Sequence, residues 1–129
     1  MPRAKQQTLT VPDRPGMMGE IASALGAKKV NIEGICAATT GGGAMIWMIV
    51  DKPAAAKKVF AANGWKATEE EVLAVTLTDS PGALGRFATK LGKAGVNISF
   101  LYGGSAGSAR KLTGYFGVSD MKAALKVRP

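Results

Sequence analysis

DRPGMMGEIASALGAKKVNI, residues 13–32, returns without a gap as DSPGALGRFATKLGKAGVNI, residues 79–98. Ten of the twenty positions are identical: Asp13/Asp79, Pro15/Pro81, Gly16/Gly82, Gly19/Gly85, Ala22/Ala88, Leu25/Leu91, Gly26/Gly92, Val30/Val96, Asn31/Asn97 and Ile32/Ile98. Agreement at that density in one register marks an internal duplication. The offset of 66 residues (79 − 13) sets the size of the unit, so the 129-residue chain divides into 1–71 and 72–129.

Outward from the quoted stretch, the two copies read alike. Leu9 and Val11 alternate with threonines, as do Leu73, Val75 and Leu77, which is the period of a half-buried strand. Met18, Ile21 and Leu25 follow at helical spacing, matched by Leu84, Phe87 and Leu91. Pro15 and Pro81 are predicted at the first helical position, where a missing N–H costs nothing, with an Asp or Ser80 as cap. Gly95 is predicted to end the second helix in a left-handed conformation, and Lys29 stands in its place in the first copy.

Second strands open at Val30-Asn31-Ile32 and Val96-Asn97-Ile98, followed by glycine-rich turns over residues 40–43 and 103–107. Third strands are expected over residues 45–50 and 112–118. A second helix runs from near Pro53 to Asn63-Gly64, and its partner starts near Ser119 and includes Met121, Ala124 and Leu125. Residues 65–71 supply a fourth strand in the first copy. Its equivalent would begin near position 131, so the second unit is expected to leave a sheet edge bare. Bare edges invite pairing, which points to a homodimer or to strand exchange between the copies.

Composition narrows the function. No apolar run approaches the roughly 18 residues of a membrane helix, and the longest, residues 44–50, reads as a buried strand. The polar start, Met1 to Gln7, is not that of a signal peptide, so a cytoplasmic protein with no membrane partner is expected. Histidine is absent and Cys36 is alone, which removes the commonest general base, an intrachain disulfide and a thiolate zinc site. Cys36 is expected to be a small buried hydrophobe. The acidic residues cluster only at Glu69–Glu71, read as a solvated connection. No catalytic residue, metal or cofactor is expected, and the chain is not read as an enzyme.

The net charge of +8 comes from scattered Lys and Arg, with the pairs Lys28-Lys29 and Lys57-Lys58 placed late in predicted helices. Only eight aromatic residues are available (two Trp, two Tyr, four Phe), so nucleic acid is not the expected partner. Residues 103–107 with Arg110 and Lys111 do not make a phosphate loop, because the Gly-Lys-Ser/Thr ending is missing and the segment joins two strands.

Strand, Asp-x-Pro-Gly, an apolar-faced helix and Val-Asn-Ile opening a second strand together resemble the ACT domain, twice over. The resemblance implies an α+β fold of two ferredoxin-like βαββαβ units, antiparallel sheets with helices on one face. It implies a regulatory protein that binds a small molecule, an amino acid being the ligand expected. Carried across, the contacting residues would be Asp13, Gly16, Met17, Met18, Asn31 and Ile32, and in the second copy Asp79, Gly82, Ala83, Leu84, Asn97 and Ile98. A helix's first turn offers free N–H groups to a carboxylate, and an Asp can hold an ammonium. Each residue also has a structural reading: Asp and Asn are common in turns, glycine in tight corners, methionine in cores. The leading function is an amino-acid-binding regulatory protein that acts on a separate partner, a regulated enzyme being one candidate. The alternatives are a nucleic-acid-associated module on the same scaffold and a non-catalytic subunit of a biosynthetic enzyme.

Overall fold

The computed structural model describes residues 2–105 and 110–129. Its elements are β1 (Arg3–Val11), α1 (Met17–Ala27), β2 (Ile32–Thr40), β3 (Gly43–Val50), α2 (Pro53–Ala62), β4 (Lys66–Thr78), α3 (Ala83–Lys93), β5 (Ile98–Ser105), β6 (Lys111–Val118) and α4 (Met121–Leu125). Two compact units emerge: Lys5–Glu70, and Glu71–Pro129 with residues 2–4. Of the glycine-rich turn predicted over residues 103–107, the first three residues are strand and the last two lie outside the described residues.

The unit formed by residues 5–70 has strand order β2-β3-β1-β4. β3 pairs antiparallel with β1, Val11 opposite Ala44, and with β2, Ile32 opposite Val50. Alternation along β1 and β3 turns Leu9, Val11, Ile46, Met48 and Val50 to one face, where Ile21 and Leu25 of α1 and Ala56, Val59 and Phe60 of α2 cover them. Both helices therefore sit on the same face of this unit's sheet.

The other unit repeats the plan with β4-β6-β5. Leu73, Val75 and Leu77 of β4 pack with Phe116 of β6, Phe87 and Leu91 of α3 and Ala124 of α4. Phe87 and Phe116 meet edge to face, with centroids 5.5 Å apart. Even the irregularities recur: a register shift follows Ile32 in β2 and again follows Ile98 in β5. The edge that sequence leaves bare is taken by the start of β1, where the Ala74 N–H donates to the Pro2 carbonyl at 2.6 Å.

Helix ends explain the glycine pattern. At the end of α3, the Val96 N–H bonds to the Leu91 carbonyl and the Gly95 N–H to that of Gly92. With Gly95 at φ 77°, this is a Schellman ending. α1 ends in the same way, Val30 to Leu25 and Lys29 to Gly26, and Lys29 is forced to φ 58°.

Three expectations need correction. Pro15 and Pro81 do not open their helices. Gly16 and Gly82, at φ 87°, occupy the N-cap position with no side-chain cap, so Asp and Ser80 do not cap. Each proline instead precedes that glycine in a tight turn closed by Met17 N–H to Arg14 O, or Ala83 N–H to Ser80 O, the geometry of a type II turn. The Glu69–Glu71 run is not a loop connection but lies inside β4, where Glu70 and Glu71 stay exposed, as expected, and Glu69 is half-buried. Buried Gln7 donates to Glu69 at 2.7 Å, Thr8 to Glu70 at 2.7 Å, and Lys57 reaches Glu69 at 3.0 Å. The lysine pairs, finally, miss the last turns: Lys57-Lys58 lies mid-helix, and Lys28-Lys29 lies past the end of α1.

Candidate ligand-binding site

Each unit has a small cavity where its first strand turns into its first helix. In the unit of residues 5–70 the cavity measures about 200 Å³ and gathers Val11, Asp13, Met17, Met18, Ala37 and Thr39 among its walls. In the other unit it measures about 230 Å³ and is lined by Leu77, Leu84, Leu101, Tyr102, Gly103 and Leu112, with Gly114 and Phe116 behind. The walls correspond through the duplication: Val11 with Leu77, Met18 with Leu84, Ala37 with Gly103 at the offset of 66, and Ala44 with Leu112, Ile46 with Gly114 at 68 after the longer second hairpin. Drug-sized ligands need about 300 Å³ or more, so these corners suit only something smaller.

The polar groups differ between the corners. Asp13 lines the first cavity and makes no hydrogen bond or ion pair among the described residues. Beside it Arg14 is turned onto Glu20 at 2.7 Å. In the second corner Asp79 is not part of the cavity wall and accepts from Ser105 Oγ at 2.5 Å. Arg86 replaces Glu20, and its guanidinium folds over Gly82, 2.8 Å from where a Cβ would lie; nothing occupies the matching space at Gly16. Among the described residues, the most exposed large apolar side chains are Ile35 (43%), Leu84 (37%) and Leu101 (41%). Two of them line the second cavity, and Ile35 is the counterpart of Leu101.

The sequence-predicted residues thus separate. Asp13, Met17 and Met18 share the first cavity, and Leu84 lines the second. The turn bonds already use the N–H groups of Met17 and Ala83. Asn31, Ile32, Asn97 and Ile98 stand at the opposite end of β2 and β5. Seven residues of strand, about 23 Å, separate Ile32 from Thr39. There the Asn31 main chain is bracketed by Asp51, N–H to Oδ1 at 2.9 Å and Asp51 N–H back to O at 3.1 Å. Ser119 does the same for Asn97, at 2.8 and 2.9 Å. Cys36 is only partly buried, opposite Trp47.

Sequence reasoning missed Thr39, Ala37 and the second-strand walls, because nothing near the Asp-x-Pro-Gly motif announces them. The hydroxyl kept at the matched positions Thr39 and Ser105 was the available signal. No three His, Cys, Asp or Glu side chains converge among the described residues, and none of their helices is long and apolar enough to cross a membrane.

Comparison with known proteins follows the same lines. Residues 8–61 match the ACT domain family. Protein BT0572 from Bacteroides thetaiotaomicron is similar over 97% of this chain and 85% of its own, at 22% identity and a TM-score of 0.90. The regulatory subunit of aspartate kinase from Thermus thermophilus matches 96% of this chain with 88% of its own, at 16% identity and a TM-score of 0.66. Aspartate kinase from Synechocystis matches 95% of this chain with 24% of its own, at 22% identity and a TM-score of 0.66. At such identities the likeness is one of fold. No curated protein matches the sequence.

Proposed function

Because this chain carries an ACT domain over residues 8–61, we propose that it is a non-catalytic regulatory protein that binds a free amino acid and acts on a separate enzyme. The observation that carries the reading is the first corner cavity, where the Asp13 carboxylate and the first turn of α1 meet apolar walls. An α-ammonium suits the acid, a carboxylate suits the helix start, and a short side chain suits the walls. On this reading residues 1–71 and 72–129 are tandem ACT-like repeats, and a homodimer in the cytoplasm is the working form. The similarity to a regulatory subunit of aspartate kinase supports a regulated enzyme as partner. Ligand and partner would alter each other's affinity equally.

A thermal-shift screen of the twenty amino acids tests the proposal. One of them, at 100 times its dissociation constant, should add about 2.7 kcal/mol of stability. A folded sample that shifts with none of them removes the receptor.

A nucleic-acid role is the second reading, favoured by the row formed by Phe100, Tyr102 and Tyr115 on β5 and β6. Phe100 and Tyr102, however, stack on one another at 19° and 6.3 Å, so each spends a ring face on its neighbour that a base would need. A salt-sensitive gel shift would promote this reading.

A further inference from the structure

We infer that the duplicated corners have diverged into one receptor and one self-satisfied pocket, so that a single amino acid binds per chain, at the first corner, through its ammonium group on Asp13. This rests on the receptor reading above and adds which copy is used and how many molecules bind.

Two matched pairs of side chains carry it. In the first corner Asp13 and Thr39 both line the cavity, and neither side chain has a partner among the described residues. Their counterparts at the offset of 66, Asp79 and Ser105, are joined by a 2.5 Å hydrogen bond. A hydroxyl donating to a carboxylate at that distance is a strong, charge-assisted bond. A zwitterion that used Asp79 would have to displace that bond and reach an acid outside the cavity wall, whereas at the first corner it meets a lining acid with nothing to give up.

The walls agree. The second cavity replaces Val11, Met18 and Ala44 with Leu77, Leu84 and Leu112, adds Leu101, and has no charged side chain among the described residues of its lining. Placing an ammonium there would bury a charge among leucines, which is unfavourable without a partner. The Arg86 guanidinium also fills the space above Gly82 that is open above Gly16, narrowing the approach to the turn. The first corner keeps its one extra cation, Arg14, on Glu20.

Isothermal titration of the full chain with L-alanine, L-valine, L-leucine and L-methionine tests this. The tightest of these probes should bind with a stoichiometry of one per chain. Asp13→Asn should weaken it roughly tenfold or more, the loss expected for a charged hydrogen bond. Asp79→Asn and Ser105→Ala should leave affinity within about twofold, since neither touches the receptor. Capping the amine, as in N-acetyl-L-valine against L-valine, should abolish binding. Two molecules per chain, equal losses from Asp13→Asn and Asp79→Asn, or undiminished binding of the N-acetylated probe would each overturn the inference while leaving the receptor reading standing. Failure of every probe, with no shift in the twenty-amino-acid screen, would instead overturn the receptor reading itself. Asp13 is exposed, so unchanged thermal unfolding of Asp13→Asn shows that an affinity loss is local.

Discussion

Lys29→Gly is expected to stabilise the unit of residues 5–70 by about 0.5–1 kcal/mol. Lys29 holds φ 58° because the Schellman ending of α1 demands it, and the same ending on α3 is made with glycine at φ 77°. A side chain in that region costs roughly 1–2 kcal/mol. Glycine returns about 0.5–1 kcal/mol of that through its freer unfolded chain. No other bond need change: Lys52 Nζ donates to the Lys29 carbonyl, at 2.8 Å, which the substitution keeps. At about 2.1 cal/mol/K per residue, 129 residues give an unfolding entropy near 270 cal/mol/K, so the gain reads as roughly 2–4 °C in Tm. Scanning calorimetry on three variants separates the causes. Lys29→Gly should gain, Lys29→Ala should not, since it keeps the Cβ, and Gly95→Lys should lose about what Lys29→Gly gains. Equal gains from glycine and alanine would refute the reasoning, because the lysine side chain and not the backbone would then be the source.

Two further variants carry measurable outcomes. The hydrogen bond from Gln7, with help from Lys57, holds the Glu69 carboxyl below its ordinary value. A depressed folded-state value contributes stability above the unfolded value of about 4.3, and that contribution disappears as pH falls through the folded value. The stability difference between the native chain and Glu69→Gln, from urea unfolding, should therefore be largest at neutral pH and shrink below about pH 4; a difference that ignores pH would contradict the assignment. Gly117→Ala would drive a Cβ into the Phe100 ring. That overpacking should cost about 1–3 kcal/mol and disturb the Phe100–Tyr102 stack, visible as a loss of near-ultraviolet circular dichroism.

What could be read from residues alone was whatever repeats locally. Leu73-Val75-Leu77 and Phe87-Leu91 carry their periods within a few positions, and the duplication makes each reading check the other. The left-handed ending was legible at Lys29 because Gly95 showed what the position requires. The polar middle of β1 was not. Gln6 and Gln7 are 0% and 1% exposed, yet they look like any hydrophilic start, because the partner that makes the burial of Gln7 tolerable, Glu69, itself held by Lys57, lies dozens of residues away. Polar groups can be buried when each is paired, and pairing across 62 residues leaves no local pattern. The prolines misled for a related reason: Pro-Gly serves a helix start and a type II turn equally well, and only the glycine's positive φ decides between them.

The same distinction explains why, in the first copy, half of the predicted receptor came together and half did not, while in the second only Leu84 lines the cavity. Asp13, Met17 and Met18 sit on one continuous corner, so their proximity follows from chain connectivity. Asn31 is brought back by the whole length of α1, which returns the chain to the other end of the sheet, beside Asp51. A helix of 11 residues rises about 16 Å, and the strand it leads into must then run back toward the corner before its side chains can reach the cavity. The residues able to face Asp13 from the second strand are consequently those near its far end, Ala37 to Thr39, and not the asparagine at its start. In any βαβ corner of this length, the motif that opens the second strand organises the bottom of the unit, and the side chains that can face the top corner come about seven residues later.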